Sequence, residues 1–123
     1  MNTKLVSVIT VVYNDVSHIE KTISNVLKQT YPFLEYIVVD GASTDGTLDV
    51  IKKYDGKLKY VSEPDKGIYD AMQKGAQLAS GEWILFRNCG DFFFSPDSIE
   101  KVFNGYVDKG EDFILLGCPV LCS

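Results

Sequence analysis

Apolar and polar positions alternate along the chain between short β-branched runs and longer amphipathic ones. Val6, Val8, Ile9, Val11 and Val12 form a run with little polar alternation, which suits a strand covered on both faces. It ends at Tyr13-Asn14-Asp15. Ser17 and Glu20 then stand at capping-box spacing, and Ile19, Ile23, Val26 and Leu27 recur at helical intervals up to Gln29, so a helix is predicted there. Pro32 breaks it, and residues 34–39 supply a second strand that terminates in Asp40-Gly41. Thr44 or Asp45 can cap the next helix, whose apolar positions Leu48, Val50, Ile51 and Tyr54 precede a turn at Asp55-Gly56. A short third strand is expected over 58–61. Ile68, Met72, Ala76 and Ala79 keep near-helical spacing over 68–79, with Gly81 as a C′ stop, and 83–86 reads as a buried fourth strand. Beyond Asn88-Cys89-Gly90-Asp91, a fourth helix capped by Ser95 is expected over 96–106 and a last strand over 113–116.

Strand and helix in alternation, joined by short links, predict an α/β fold: a three-layer α/β/α sandwich around a mostly parallel central sheet with right-handed crossovers. Ligands in that architecture bind at the carboxyl ends of the strands. Here those ends are Tyr13-Asn14-Asp15, Asp40-Gly41, Glu63-Pro64-Asp65 and Asn88-Cys89-Gly90-Asp91, each with an acid at or just past the tip. No internal repeat, low-complexity tract or linker divides the sequence, so 1–123 is read as a single domain.

With 46% apolar and 24% charged residues, the usage is that of an ordinary globular domain. The run from Leu5 to Tyr13 is interrupted by Ser7 and Thr10 and is far shorter than the roughly 20 residues that cross a bilayer. It also lacks the flanks of a signal peptide, so no transmembrane segment is expected and the location read from sequence is cytoplasmic. Cys89, Cys118 and Cys122 form no CxxC pair and His18 stands alone, which argues for reduced thiols rather than a zinc site. A formal charge of -5 with scattered Lys and Arg argues against nucleic acid as a partner. A phosphate-bearing ligand would then need local positive potential from helix N-termini, a few lysines, or a divalent metal held by carboxylates.

The segment from Asp40 to Thr47, Asp-Gly-Ala-Ser-Thr-Asp-Gly-Thr, packs turn-forming and hydrogen-bonding residues between a buried strand and a helix. Its glycines allow close approach of a ligand, and Asp40 can accept hydrogen bonds from a base or ribose; a polar turn with a capped helix explains the same residues. Neither GxGxxG nor GxxxxGK[ST] is present, which disfavours ordinary NAD enzymes and P-loop ATPases. Asp91 projects from the ligand-binding edge and suits a hard cation such as Mg²⁺ or Mn²⁺, although a turn aspartate fits equally. Lys66 stands beside a helix start that favours anions, and Lys66 and Asp70 also fit as solvated surface charges. His18 reads as a surface residue.

Taken together, residues 8–14 (VITVVYN), the Asp40–Thr47 segment, residues 65–75 with Ala79-Ser80-Gly81-Glu82, and Asn88-Cys89-Gly90-Asp91 resemble family 2 glycosyltransferases over about 5–94. The resemblance implies a Rossmann-like fold of the GT-A type and only its donor-binding portion, with the chain stopping before the acceptor half and the catalytic base; no base is nominated. It implies that Thr10, Tyr13, Asn14, Asp40, Ser43 and Asp45 embrace the uracil and ribose of a UDP-sugar. Asp65 and Lys66 would lie near the nucleotide or diphosphate, with Asn88 also at the donor, and Asp91 would bind Mn²⁺ or Mg²⁺ across the diphosphate. Many relatives carry acids where Asn88 and Gly90 stand, and an Asn-small-Gly-Asp subgroup occurs in bacterial polysaccharide assembly. The implied reaction is metal-dependent, inverting transfer of a hexose-type sugar to the hydroxyl of a carbohydrate or lipid-linked acceptor, in the cytoplasm or at the inner face of the membrane. Two alternatives stay open: a nucleotide-sugar-binding module without turnover, and a phosphoacceptor receiver-type domain, which lacks here its paired acids after the first strand. Oligomeric state is not read from the sequence.

Overall fold

Seven elements follow one another in a computed structural model that describes residues 5–87 together with Cys89 and Ile99. They are β1 (Val6–Val12), α1 (Val16–Leu27), β2 (Leu34–Asp40), α2 (Thr47–Lys52), β3 (Lys59–Ser62), α3 (Ile68–Leu78) and β4 (Trp83–Phe86). The predicted helix over 96–106 and strand over 113–116 lie outside the described residues, as do Asn88, Asp91, Cys118 and Cys122.

The four strands pair only in parallel, in the order β3-β2-β1-β4. β1 is therefore central, with Val6 opposite both Leu34 and Trp83, and β3 begins one residue later than its pattern predicts, pairing Ile37 with Lys59 and Asp40 with Ser62. That order also settles the receiver alternative, whose first strand lies between the second and third. Here β1 separates β2 from β4.

Alternate residues of the β-branched strands feed two cores, as a pleated strand buried on both faces requires. On one side Val6, Val8, Val12, Tyr36, Val38 and Leu85 pack with Ile19, Ile23 and Val26 of α1 and Ile51 of α2; Ile99 joins this layer. On the other, Ile9, Val11, Ile37, Val39 and Ile84 pack with Ala71 and Ala76 of α3. Each fully buried Ile, Val or Leu contributes about 1.5–3 kcal/mol. Gly75 brings α3 down onto the sheet: a Cβ there would stand 2.5 Å from Ile9 Cγ2 and 3.3 Å from Val39 Cγ2.

Two local readings are corrected by tertiary contacts. The capping box at Ser17 and Glu20 does not form, because α1 begins at Val16 with Asp15 as its N-cap and no side-chain cap of its own. Its first amides find partners across the sheet edge instead, the Asp15 N–H on Thr47 Oγ1 (3.1 Å) and the Val16 N–H on Asp45 Oδ2 (3.1 Å). Gly81 is no left-handed helix stop, since α3 ends at an extended Ala79. It is needed for space: a Cβ at Gly81 would stand 2.5 Å from Ser7 Oγ and 2.8 Å from the Ser7 backbone nitrogen.

Candidate functional site

The carboxyl ends of β1, β2 and β3 are tied by one hydrogen-bond system. Asp40 is fully buried, yet its carboxylate accepts from the Ser43 N–H (3.0 Å), the Ser43 hydroxyl (2.5 Å) and the Ser62 hydroxyl (2.8 Å). Buried charge is tolerated only with such partners. The Ser43 oxygen in turn accepts from the Asn14 N–H (2.8 Å), and the Asn14 side-chain oxygen accepts from the Thr44 N–H (2.8 Å). Asn14 has a φ of 47°, in the left-handed region that asparagine tolerates better than most residues, so the chain turns sharply off β1 and faces the β2–α2 loop. Asp45 completes the loop by accepting from the Thr47 N–H (3.0 Å), the Thr47 hydroxyl and the Val16 N–H. The Thr47 hydroxyl, then these amides, hold the Asp45 carboxyl below its usual range against partial desolvation.

Across the sheet edge the β3–α3 loop carries Asp65, which accepts from the Gly67 N–H (3.1 Å). Gly67 has a φ of 125°, open in practice only to glycine, and it launches α3. Asp65 and Tyr13 lean over Gly41, where a Cβ would meet Asp65 Oδ2 at 2.7 Å and Tyr13 Cδ1 at 3.3 Å. The loop is pinned from behind by Lys74, whose ammonium reaches the Pro64 carbonyl (2.8 Å), Glu63 (3.1 Å) and Asp70 (3.5 Å). Asp70 also accepts from the Lys66 N–H (2.9 Å), the first cause of its lowered pKa.

Between these loops opens a cavity of about 400 Å³, within the range of roughly 300–1,000 Å³ usual for small-ligand sites. Val11, Val12 and Ala71 form its apolar wall, Tyr13 and Ile68 flank it, and Asp15, Asp65, Gly67 and Cys89 supply its polar rim. The position is physical as well as topological: the chain winds outward from β1 to β3 and then returns to the far side of β1 as β4, leaving a crevice where the direction reverses. Contact with the His18 imidazole (2.7 Å) is the main cause that holds the Asp15 carboxyl below its usual range.

Of the residues singled out from sequence, Tyr13 and Asp65 line the cavity, and Asn14, Ser43 and Asp45 form the adjoining network. Lys66 is exposed beside the start of α3. Two are set back from the edge: Asp40 lies beneath the loop it organises, and Thr10 is buried two residues before the end of β1, bonded to the Tyr36 hydroxyl (2.8 Å). Burial pushes the Tyr36 phenol up, despite that bond. Asn88 and Asp91 lie outside the described residues. Sequence reasoning passed over Gly67, Ile68, Ala71 and Cys89 as lining residues. Cys89, read as a buried thiol, is half-buried at the rim, and its place just past the fourth strand was the available signal.

Asp15 and Asp65 offer the oxygen donors that Mn²⁺ or Mg²⁺ takes. Among the described residues, however, no group of three metal-ligating side chains converges. The donor chemistry of this pair fits a divalent metal.

The model for "Glycosyl transferase family 2" matches residues 7–120. A Bacillus subtilis protein named as a teichuronic acid biosynthesis glycosyltransferase, TuaG, is 35% identical over 123 residues, covering 97% of this chain and 48% of its own. Among solved structures, the mannosyltransferase PcManGT from Pyrobaculum calidifontis, in complex with GDP-Man and Mn²⁺, superposes with a TM-score of 0.73 at 30% identity, covering 78% of this chain and 30% of that one. TarS of S. aureus in complex with UDP-GlcNAc gives a TM-score of 0.74 at 27% identity, covering 85% and 31%. The chain thus spans less than half the length of each.

Proposed function

The chain belongs to glycosyl transferase family 2, and from that premise we propose that residues 1–123 form the nucleotide-sugar-binding unit of an inverting, metal-dependent glycosyltransferase of bacterial cell-surface polysaccharide assembly. The donor is a UDP-sugar carrying a hexose-type sugar, and the acceptor is the hydroxyl of a carbohydrate or lipid-linked chain. The work is done in the cytoplasm or on the inner face of the membrane; among the described residues no helix is long and apolar enough to cross one.

The observation that carries this reading is the cavity at the β1/β4 reversal, with an apolar wall, an aromatic flank and the start of α3 at its rim. Tyr13 in the cavity, with Asn14 and the Ser43–Asp45 loop beside it, embraces the base and ribose, and Asp40 and Thr10 shape that surface from beneath. The positive end of the α3 helix dipole, together with Lys66, favours the diphosphate. A bound metal would be held by Asp91, with Asn88 beside it in the Asn-Cys-Gly-Asp tetrapeptide, and would supply charge stabilisation to the departing diphosphate. Transfer forms a bond from the acceptor oxygen to the anomeric carbon, breaks the bond from that carbon to the diphosphate oxygen, and passes the acceptor proton to a carboxylate base.

Neighbours that carry UDP-GlcNAc in one case and GDP-Man in another make the nucleotide the point to test. In calorimetric titrations with Mn²⁺, UDP should bind at least tenfold more tightly than GDP, and both chelator and Asp91→Ala should abolish the UDP signal. Equal binding of the two nucleotides, or UDP binding indifferent to chelator, would overturn the donor and metal assignments respectively.

A further inference from the structure

Ser62 is the last residue of β3 and stands opposite Asp40 in the sheet register. Its hydroxyl donates to Asp40 Oδ2 at 2.8 Å. The other two donors to that carboxylate, the Ser43 N–H and hydroxyl, both come from the β2–α2 loop. Ser62 therefore supplies the one side-chain bond, among those described, that references the buried carboxylate to a neighbouring strand rather than to the loop that the carboxylate holds. From Asp40 the connection runs on through the Ser43 hydroxyl to the Asn14 N–H (2.8 Å), and Asn14 follows Tyr13 at the cavity wall. Four side chains or amides thus link the tips of β3, β2 and β1 in one line.

We propose that Ser62 is a positioning residue of the nucleotide site, fixing the Asp40 carboxylate and, through Ser43, the placement of Asn14 and Tyr13 at the cavity. The proposal rests on the nucleotide-binding reading for its consequence, but the linkage itself is a property of the free chain. Without the Ser62 hydroxyl, a fully buried carboxylate is left short of a donor and keeps partners only on the loop that it holds, so it can turn together with Ser43. The Asn14 N–H then loses its fixed acceptor. A hydroxyl two strands from β1 in this way governs the geometry of the β1 tip.

The test uses Ser62→Thr and Ser62→Val, which have the same shape, suit a strand equally and differ only in the hydroxyl. In the ligand-free chain, amide exchange by NMR at Ser43 and Asn14 should be about tenfold faster in Ser62→Val than in Ser62→Thr, while the α3 amide of Ala71, bonded to the Gly67 carbonyl, stays the same in both. UDP affinity with Mg²⁺ should fall about tenfold in Ser62→Val and remain within about twofold of the unaltered chain in Ser62→Thr. Equal exchange in the two variants overturns the linkage whatever the nucleotide does. An exchange difference with no UDP binding in the unaltered chain leaves the linkage standing and overturns the nucleotide reading instead.

Discussion

Strand β2 carries a carboxylate at each end, Glu35 on the amino edge of the sheet and Asp40 on the carboxyl edge, and both are saturated with hydrogen bonds. Glu35 accepts from the Ser7 hydroxyl (2.7 Å), the Ser80 N–H and hydroxyl (each 2.9 Å) and the Lys59 ammonium (2.6 Å). Those donors come from β1, β3 and the segment leading into β4, so Glu35 sews three strands together. Asp40 instead takes most of its donors from a loop, and that loop holds Asn14, the neighbour of the cavity-lining Tyr13. A well-partnered acid therefore does not identify a site. What separates the two edges is where the partners sit and whether ligand-sized space adjoins them.

The largest expected effect tests the amino edge. Burial pushes the Glu35 carboxyl up, but Lys59, the Ser80 amide and the Ser7 and Ser80 hydroxyls outweigh it and hold the pKa at about 2, against 4.5 for the free side chain. A lowered folded-state pKa contributes stability that is present above pH 4.5 and is lost as pH falls toward 2. Allowing for solvent around the exposed Lys59, that contribution is about 2–3 kcal/mol at neutral pH. Urea denaturation should show Glu35→Ala less stable by about this amount at pH 7, with the gap to the unaltered chain narrowing below pH 4.5. UDP affinity of the folded variant should be unchanged, and a tenfold loss would show that the edges are not separable.

A pair of glycines sharpens the same contrast. At Gly81 a new Cβ meets backbone, 2.8 Å from the Ser7 nitrogen and 2.9 Å from the Leu5 carbonyl oxygen, so the strand must shift. Gly81→Ala should therefore cost about 1–3 kcal/mol of stability without altering nucleotide affinity. At Gly41 the tightest neighbour is the flexible end of Asp65. Gly41→Ala should cost less than about 1 kcal/mol, yet weaken UDP binding severalfold by displacing Asp65 and Tyr13 from the cavity. Thermal melts and titrations on both variants decide it, and a reversed pattern would exchange the roles assigned to the two edges.

Smallest of all should be Lys74→Met. Its partners Glu63 and Asp70 are substantially exposed, and such pairs contribute little to stability. The melting midpoint should barely move, while UDP affinity falls two- to fivefold as the loop bearing Asp65 loosens. Unchanged affinity would show that Asp65 needs no anchor behind it.

The four strands and three of the helices were legible because β-branched runs and helical spacings have few other uses in an alternating chain. Capping was not: the Ser17–Glu20 pattern is a local signal, and it lost to Asp45 and Thr47, which lie 29 and 32 residues away in sequence from the amides they serve. The burial of Asp40 was equally hidden, since an acid at a strand tip looks exposed until the register sets Ser62 beside it. Asp15 was visible as an acid past the first strand. Ala71 was not, because its type speaks of packing and only the reversal of winding between β3 and β4 brings it to the crevice, while Cys89 was marked by nothing but its place just past the fourth strand.

The central claim is that the carboxyl edge is the nucleotide site and the amino edge is structural, and amide chemical-shift mapping with UDP and Mg²⁺ tests it most directly. Shifts should gather at Tyr13, Asn14, Asp15, Ser43, Gly67, Ile68 and Cys89, while Ser7, Glu35, Ser80 and Gly81 stay still. Shifts centred on Glu35 and Ser80, or none at all with saturating UDP, would contradict it.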